Sequence, residues 1–329
     1  GMMGSALCVP LCDRGHEVRL VGTHLDQEIV AALRSGGEHR TVRLALPSGI
    51  QAYAHDQLAE AMVGCDVLAL GVSSAGVAWA REQIAPFARR DLPLFMITKG
   101  LAWDGDELAI FPDVIGEGLP VSPAAVAGSC IAGELARRVP TCVVLAGRDA
   151  NVLGKIAALV ETDYYHPRVS DDPIGAEVCA ALKNAYAMAV AFGAGLHERA
   201  GGEPGSVAMH NYESAVFAQS LLEMRRIVVR LGGKASTVAG LAGAGDLDVT
   251  NNGGRTGRFG RLLGLGLSRD EAVEKMQGAT LECLEIIAVM RKAVARWRED
   301  EPIALPLLDH MAEVVLDGAP VAVPFREMF

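Results

Sequence analysis

The sequence predicts an α/β fold: a doubly wound parallel sheet in the first half of the chain, followed by an all-helical second half. Three observations carry this. Short continuous apolar runs alternate with helix-spaced segments up to about residue 169, and long helical stretches take over after it. Glycine supplies 37 of the 329 residues and aromatics only 5%, a composition of Gly-rich turns and not of an aromatic-cored all-β protein. Half of the residues are hydrophobic and the net charge is −10, which excludes disorder and leaves no general surplus of cations for a nucleic-acid backbone. Small anionic metabolites remain compatible ligands.

Taken in order, residues 5–14 have helical spacing, Gly15 stops the helix, and 16–21 alternate as a short strand. Asp26 is placed to cap a helix through residue 35, and 57–65 are helical. Residues 66–72 form a continuous apolar run suited to a strand buried on both faces. A helix over 77–89 leads to the buried run 93–98, which ends at Lys99-Gly100, and 124–127 and 141–146 read as further strands. The texture changes near 169. Ser170-Asp171-Asp172-Pro173 combines N-cap residues with a proline at the first turn and opens a helix to about 199. Further helices are expected over 205–231, 268–276, 280–299 and 305–316. The resulting domains are 1–169, dinucleotide-binding, and 170–329, helical and substrate-binding.

The seven cysteines include no C-x-x-C and mostly lie in apolar runs, so they read as buried small hydrophobes, with no disulfide framework and no metal site. The longest apolar run, 185–196, is too short to span a bilayer. The N-terminus lacks the features of a secretory signal. No membrane span is expected, and the expected compartment is the cytoplasm.

Dinucleotide folds place G-x-G-x-x-G between the first strand and first helix, so that backbone amides meet the pyrophosphate. This chain opens Gly1-Met2-Met3-Gly4, matching the second and third glycines of that fingerprint. The first glycine and the strand before it are absent. The expectation is a natural protein that is longer, and for this chain a sheet with an open slot or a rearranged neighbour. Cofactor choice depends on the segment after the next strand, here Gly22-Thr23-His24-Leu25-Asp26. Thr23 and His24 could border a 2′-phosphate or form an exposed turn, so NAD and NADP both stay open.

Three segments carry chemistry. Leu182-Lys183-Asn184 sets a lysine inside an apolar helix, where an ammonium needs either an escape to solvent or an acid in a cleft. Residues 240–258 combine bare glycines, Asp246, Thr250 and Arg255 after a Gly-Gly turn, which suits an anionic ligand or a polar interhelical loop. Thr98-Lys99-Gly100 lies at the carboxyl end of a parallel strand, where such sheets bind ligands, although Lys99 alone could be an ordinary strand-end residue.

With the fingerprint remnant at 1–6, Val72-Ser73-Ser74 and the segment 127–134, these motifs resemble the NAD(P)-dependent glycerol-3-phosphate dehydrogenases over nearly the whole chain. The resemblance implies a Rossmann-like domain, NAD or NADP as cofactor, and interconversion of sn-glycerol 3-phosphate and dihydroxyacetone phosphate. It implies Lys183 as general acid/base, with Lys99, Asp246 and Thr250 completing the catalytic group. Arg255 would hold the substrate phosphate, with Thr256, Asn184 and Lys99 beside the substrate. Gly1, Met2, Met3, Gly4, Val72, Ser73, Ala132, Arg255 and Gln277 would border the cofactor. Apolar helices in the second domain allow a homodimer.

Three departures bear on the substrate. Arg255-Thr256 stands where the family commonly has Arg-Asn, Gly128-Ser129-Cys130 where it has Gly-Pro-Ser, and Ser73 where it has proline. Another phosphorylated polyol or ketose, a ketopantoate or 3-hydroxyacid reductase activity, and a catalytically impaired nucleotide-binding homologue stand as alternatives.

Overall fold

The computed structural model describes residues 1–39, 43–205 and 208–329. The chain forms two compact units, residues 1–99 with 110–176, and residues 100–109 with 177–329. The composition places the change at 169/170. The structure carries the chain into the second unit twice, at residues 100 and 177, because a short hairpin at 100–109 also belongs there.

The strands are β1 (Val18–Val21), β2 (Ile50–Tyr53), β3 (Leu68–Leu70), β4 (Leu94–Met96), β5 (Leu101–Trp103), β6 (Leu108–Ile110), β7 (Ala124–Ala127), β8 (Thr141–Ala146) and β9 (Tyr165–Ser170). The first unit also has α1 (Met2–Asp13), α2 (Gln27–Arg34), α3 (Leu58–Ala61), α4 (Val77–Ile84), α5 (Phe111–Gly116), α6 (Ala132–Leu135) and α7 (Ala150–Val160). Its main sheet runs β3-β4-β7-β8-β9. All of these pairs are parallel except β7 with β8, so the expected parallel sheet carries one antiparallel junction. β4 and β7 are buried at every residue, as continuous apolar runs require, and Phe95, Val126, Val143 and Leu145 pack with Leu7 of α1, Leu135 of α6 and Ile156 of α7.

β1 pairs in parallel with β2 alone, and β3 ends the five-stranded sheet. Among the described residues β1 and β3 thus belong to separate sheets.

Four strands, β2, β5, β6 and β9, escaped the sequence reading, β2 and β9 for identifiable physical reasons. β9 contains Pro167, which argues against a strand, yet β9 is the edge of its sheet, where a missing N–H is tolerated; Pro167 pairs with Val143. β2 is four residues long and lies beyond any clear periodicity. Asp26 occupies the N-cap position of α2, but its carboxylate accepts from the Thr23 amide and hydroxyl instead of capping the helix. The cysteines also need correction: Cys8, Cys179 and Cys283 are buried, Cys12, Cys65 and Cys130 half-buried, and Cys142 lies on the exposed face of β8.

The second unit contains α8 (Pro173–Arg199), α9 (His210–Arg230), α10 (Ala235–Val238), α11 (Asp246–Asn251), α12 (Arg255–Gly264), α13 (Arg269–Lys275), α14 (Glu282–Asp300) and α15 (Pro306–Leu316). The helix expected over 205–231 begins at His210, and residues 206 and 207 lie outside those described. By length and composition α8 could cross a bilayer, but 78% of its most apolar window is buried in protein, as in a core helix. Asp172 caps it, accepting from the Gly175 amide at 2.9 Å. Ser268 and Glu271 form a capping box at α13.

Candidate active site

In the second unit the lysine inside the apolar helix has found an acid. Lys183 Nζ of α8 lies 2.5 Å from Asp246 Oδ1. The Asp246 side chain is 0% exposed and that of Lys183 15%. Asp246 is delivered there by a single π-helical turn, Leu241–Gly245, which runs directly into α11. Such turns recur at functional sites because they re-aim the helix that follows. The turn needs glycine: a Cβ on Gly243 would stand 2.1 Å from the Val238 carbonyl oxygen. Thr250 Oγ1 donates to the Asp246 carbonyl at 2.6 Å, so that hydroxyl is fixed on the same helix. Asn184, beside Lys183, is half-buried.

Arg255 is the first residue of α12 and follows Gly253 and Gly254, whose φ values of +135° and +103° favour glycine. Its guanidinium is exposed and donates to Glu282 Oε1 at 3.0 Å. Thr256 turns inward and is only 6% exposed. Glycines set the spacing between α12 and α8. A Cβ on Gly260 would lie 2.2 Å from the Met188 carbonyl oxygen, one on Gly264 2.3 Å from that of Phe192, and one on Gly195 2.1 Å from that of Arg261. The two backbones therefore touch, and a bidentate pair between Arg261 and Glu198, both contacts 2.6 Å, fastens the same crossing. The helices that carry Lys183 and Arg255 are thus held at a fixed separation.

In the first unit, Lys99 follows β4 and donates to the Gly128 carbonyl at 3.1 Å, while Thr98 Oγ1 donates to the Val72 carbonyl at 2.7 Å. Ser73 is exposed at the N-cap of the short turn 74–76, and Ala132 is buried at the start of α6. Gly4 of α1 packs on Gly71 after β3: a Cβ on Gly71 would approach the Gly4 Cα to 3.2 Å. This is the close helix–strand approach that the last glycine of a dinucleotide fingerprint permits. The amides of Met2, Met3 and Gly4, in the first turn of α1, have no intrahelical acceptor, so the segment fits a pyrophosphate. Beside it, burial alone would raise the Asp26 carboxyl, but the Thr23 hydroxyl and amide hold it below its ordinary value. Gln277 is an exposed residue of left-handed conformation, φ +52°, just beyond the end of α13.

Three residues were missed. Glu177 is a wholly buried carboxylate in α8 and accepts from the Gly100 amide at 3.2 Å. A charged residue in an apolar helix upstream of Lys183 was its signal. Glu282, the partner of Arg255, opens α14, where an acid is ordinary and gave no signal. Asn251 keeps a buried Oδ1 with no hydrogen-bond partner among the described residues. Among those residues no cluster of three His, Cys, Asp or Glu side chains could hold a metal.

Residues 1–153 match the family model described as the NAD-dependent glycerol-3-phosphate dehydrogenase N-terminus, and residues 172–325 match that of its C-terminus. The chain is 35% identical over 324 residues to the NADP(+)-dependent glycerol-3-phosphate dehydrogenase of Archaeoglobus fulgidus, covering 98% of this chain and 94% of that one. It is 29% identical over 337 residues to glycerol-3-phosphate dehydrogenase [NAD(P)+] of Agrobacterium fabrum, covering 100% and 94%. The crystal structure of glycerol-3-phosphate dehydrogenase from Coxiella burnetii superimposes with a TM-score of 0.82 at 27% identity, covering 97% of this chain and 93% of the other.

Proposed function

The chain belongs to the NAD-dependent glycerol-3-phosphate dehydrogenase family, and from that premise we propose that it interconverts sn-glycerol 3-phosphate and dihydroxyacetone phosphate, with Lys183 as the proton carrier. It is an NAD(P)-dependent oxidoreductase. The bound nicotinamide supplies the hydride donor or acceptor for the substrate C2. The protein must then hold the phosphate end, orient C2 and move one proton.

The observation that carries this reading is the Lys183–Asp246 pair. A wholly buried carboxylate fixes an ammonium that keeps a small exposed fraction, which is the arrangement of a group held ready for a substrate oxygen. As an ammonium, Lys183 polarises the ketone and gives its proton to the oxygen; in oxidation its neutral amine takes the proton back. Asp246 orients the amine and Thr250 braces the helix that holds Asp246. Arg255, exposed beyond a two-glycine turn, is assigned to the phosphate, whose oxygens suit its planar fork. Glu282 occupies that fork in this structure, so phosphate has to exchange with it or share it. The buried Thr256 supports this turn more than it contacts the ligand. Lys99 is assigned to the substrate, and Gly1 to Gly4, Val72, Ser73, Ala132 and Gln277 to the cofactor side. A cytoplasmic homodimer completes the proposal.

The test is oxidation of NADH and NADPH with dihydroxyacetone phosphate, with inorganic phosphate as competitor. Turnover with competitive inhibition by phosphate supports the reading. Turnover of an unphosphorylated ketoacid in preference to dihydroxyacetone phosphate would sink it.

A further inference from the structure

Three hydrogen bonds bear on the segment Thr98-Lys99-Gly100. The Thr98 hydroxyl donates to the Val72 carbonyl at 2.7 Å, the Lys99 ammonium to the Gly128 carbonyl at 3.1 Å, and the Gly100 amide to Glu177 Oε2 at 3.2 Å. The first two restrain the strand end and the tip of the lysine. The third restrains the peptide plane that leaves Lys99. That plane needs restraint, because Gly100 has no Cβ and stands at φ +155°, where a glycine backbone is free to rotate.

Glu177 accepts the Gly100 amide from a fully buried position. It is 0% exposed, and a carboxylate is costly to bury unless its oxygens are used. The N-terminus of α8 is already capped by Asp172, so Glu177 is not needed there. Its neighbours Ala176, Val178 and Cys179 are all wholly buried and small or apolar. Glu177 Oε2 accepts the amide that immediately follows Lys99. Gly100 and Glu177 are also the residues at which the chain enters the second unit on two separate passes, so their hydrogen bond ties the two passes together.

We propose that Glu177 is a positioning residue for Lys99, acting through the Gly100 amide: it fixes the peptide plane after Lys99 and thereby the direction in which the lysine leaves the strand end. The proposal rests on the assignment of Lys99 to the substrate. It needs an acceptor oxygen at position 177, not a negative charge as such, so glutamine is the conservative replacement and leucine the one that removes the acceptor.

The experiment reads Lys99 directly. The full-length protein is treated with limiting acetic anhydride, and acetylation of Lys99 is measured by peptide mass spectrometry against exposed Lys155 of α7. Loss of one hydrogen bond in Glu177→Leu is expected to change the Lys99 rate relative to Lys155 by up to about tenfold, and Glu177→Gln to restore it to within about twofold. The KM for dihydroxyacetone phosphate should follow the same order, with the nucleotide dissociation constant unchanged. Should Glu177→Leu fail to fold, Glu177→Asp, with its shortened reach, is read in its place and should fall between wild type and the expected leucine effect. An unchanged Lys99 rate in the leucine or aspartate variant overturns the proposal. So does a glutamine variant that behaves like leucine, or a change shared equally by Lys155. If the wild-type chain does not turn over dihydroxyacetone phosphate, the substrate assignment fails, while the acetylation result still decides the role of Glu177.

Discussion

Lys183 and Asp246 meet across α8 and α11 at 2.5 Å, with the carboxylate sealed from solvent and the ammonium almost so. Such a pair is expensive to break from one side. Lys183→Met leaves an uncompensated buried carboxylate and is expected to cost about 3–5 kcal/mol of stability as well as turnover. The two losses can be separated. Lys183→Met/Asp246→Leu should recover most of the urea midpoint while the rate stays down by about 10²–10⁴-fold, the usual contribution of a positioned acid or base. Nucleotide binding should survive in the double variant. A double variant with near wild-type kcat would remove Lys183 from the chemistry.

Arg255 gives a prediction of the opposite kind. Its guanidinium is exposed and, among the described residues, paired with the half-exposed Glu282, so Arg255→Ala should leave the melting temperature almost unchanged, as surface pairs contribute little. The KM for the phosphorylated substrate should rise by about one to two orders of magnitude, the loss expected for a charge-assisted bidentate contact. Arg255→Lys should recover part of it, because a point charge replaces the fork. An unchanged KM with a fall in kcat alone would contradict phosphate binding.

The distance between these two residues depends on backbone contact elsewhere. Gly260→Ala would drive a methyl group to 2.2 Å from the Met188 carbonyl oxygen, and backbone cannot yield as a flexible side chain can. The helices must separate, with a cost of about 1–3 kcal/mol for overpacking. Because α12 begins at Arg255, the same variant should raise substrate KM without any change to a substrate-contacting residue. Urea denaturation and steady-state kinetics on one preparation check both. By contrast Gly257→Ala, where a Cβ meets nothing within 4 Å, should be neutral or slightly stabilising.

These contacts show where sequence reasoning reached and where it stopped. Lys183, Asp246 and Arg255 were visible because each breaks a local pattern: an ammonium in an apolar helix, an acid after bare glycines, a cation after a Gly-Gly turn. The buried strands β4 and β7 were visible because burial on both faces leaves a continuous apolar run. Gly195, Gly260 and Gly264 were not legible as helix contacts, because a glycine signals permissiveness and not which backbone it will touch. Glu282 was not legible either, because an acid at a helix start is ordinary; Glu177 carried the signal of a charge in an apolar helix, but its acceptor role depends on Gly100, far away in the chain. β9 was hidden by Pro167, which an edge strand accepts and a central one does not.

Glu223 of α9 provides a stability test remote from the substrate assignments. It is wholly buried and accepts four hydrogen bonds: from Tyr186 Oη at 3.0 Å, Gln219 Nε2 at 2.8 Å, and the Leu307 and Leu308 amides at 2.8 and 2.9 Å. The carboxylate thereby seats the first turn of α15. Burial raises its pKa, and the four donors oppose that shift without cancelling it. Glu223→Gln removes the buried charge but turns an amide NH₂ toward donors that it cannot serve. We expect a loss of about 1–3 kcal/mol, the cost of unsatisfied buried groups, measured as a lower urea midpoint. A midpoint equal to wild type would show that the desolvated charge cost as much as its hydrogen bonds returned.

A pH dependence follows from Asp13, at the end of α1. Arg138 donates to both its oxygens at 2.7 and 2.8 Å, and Tyr164 Oη donates to Oδ2 at 2.5 Å. The hydrogen bond from Arg138 holds the Asp13 carboxyl below its ordinary value of 3.8, against a smaller opposing effect of burial. The unfolded chain therefore takes up the proton first as the pH falls. The stabilisation is complete above about pH 4 and is lost on further acidification through the lower folded value. Tyr164 acts at the other end: burial, then the bond to Asp13, raise its pKa above 10, so its contribution is complete below that value and declines as the pH rises beyond it. Because Asp13 and Arg138 both border solvent, each limb should amount to no more than about 1 kcal/mol. Asp13→Asn should flatten the acid limb of a stability–pH curve and weaken the alkaline one, while Tyr164→Phe should remove only the alkaline limb. An acid limb unchanged in Asp13→Asn would place the acid sensitivity of this unit in other carboxylates.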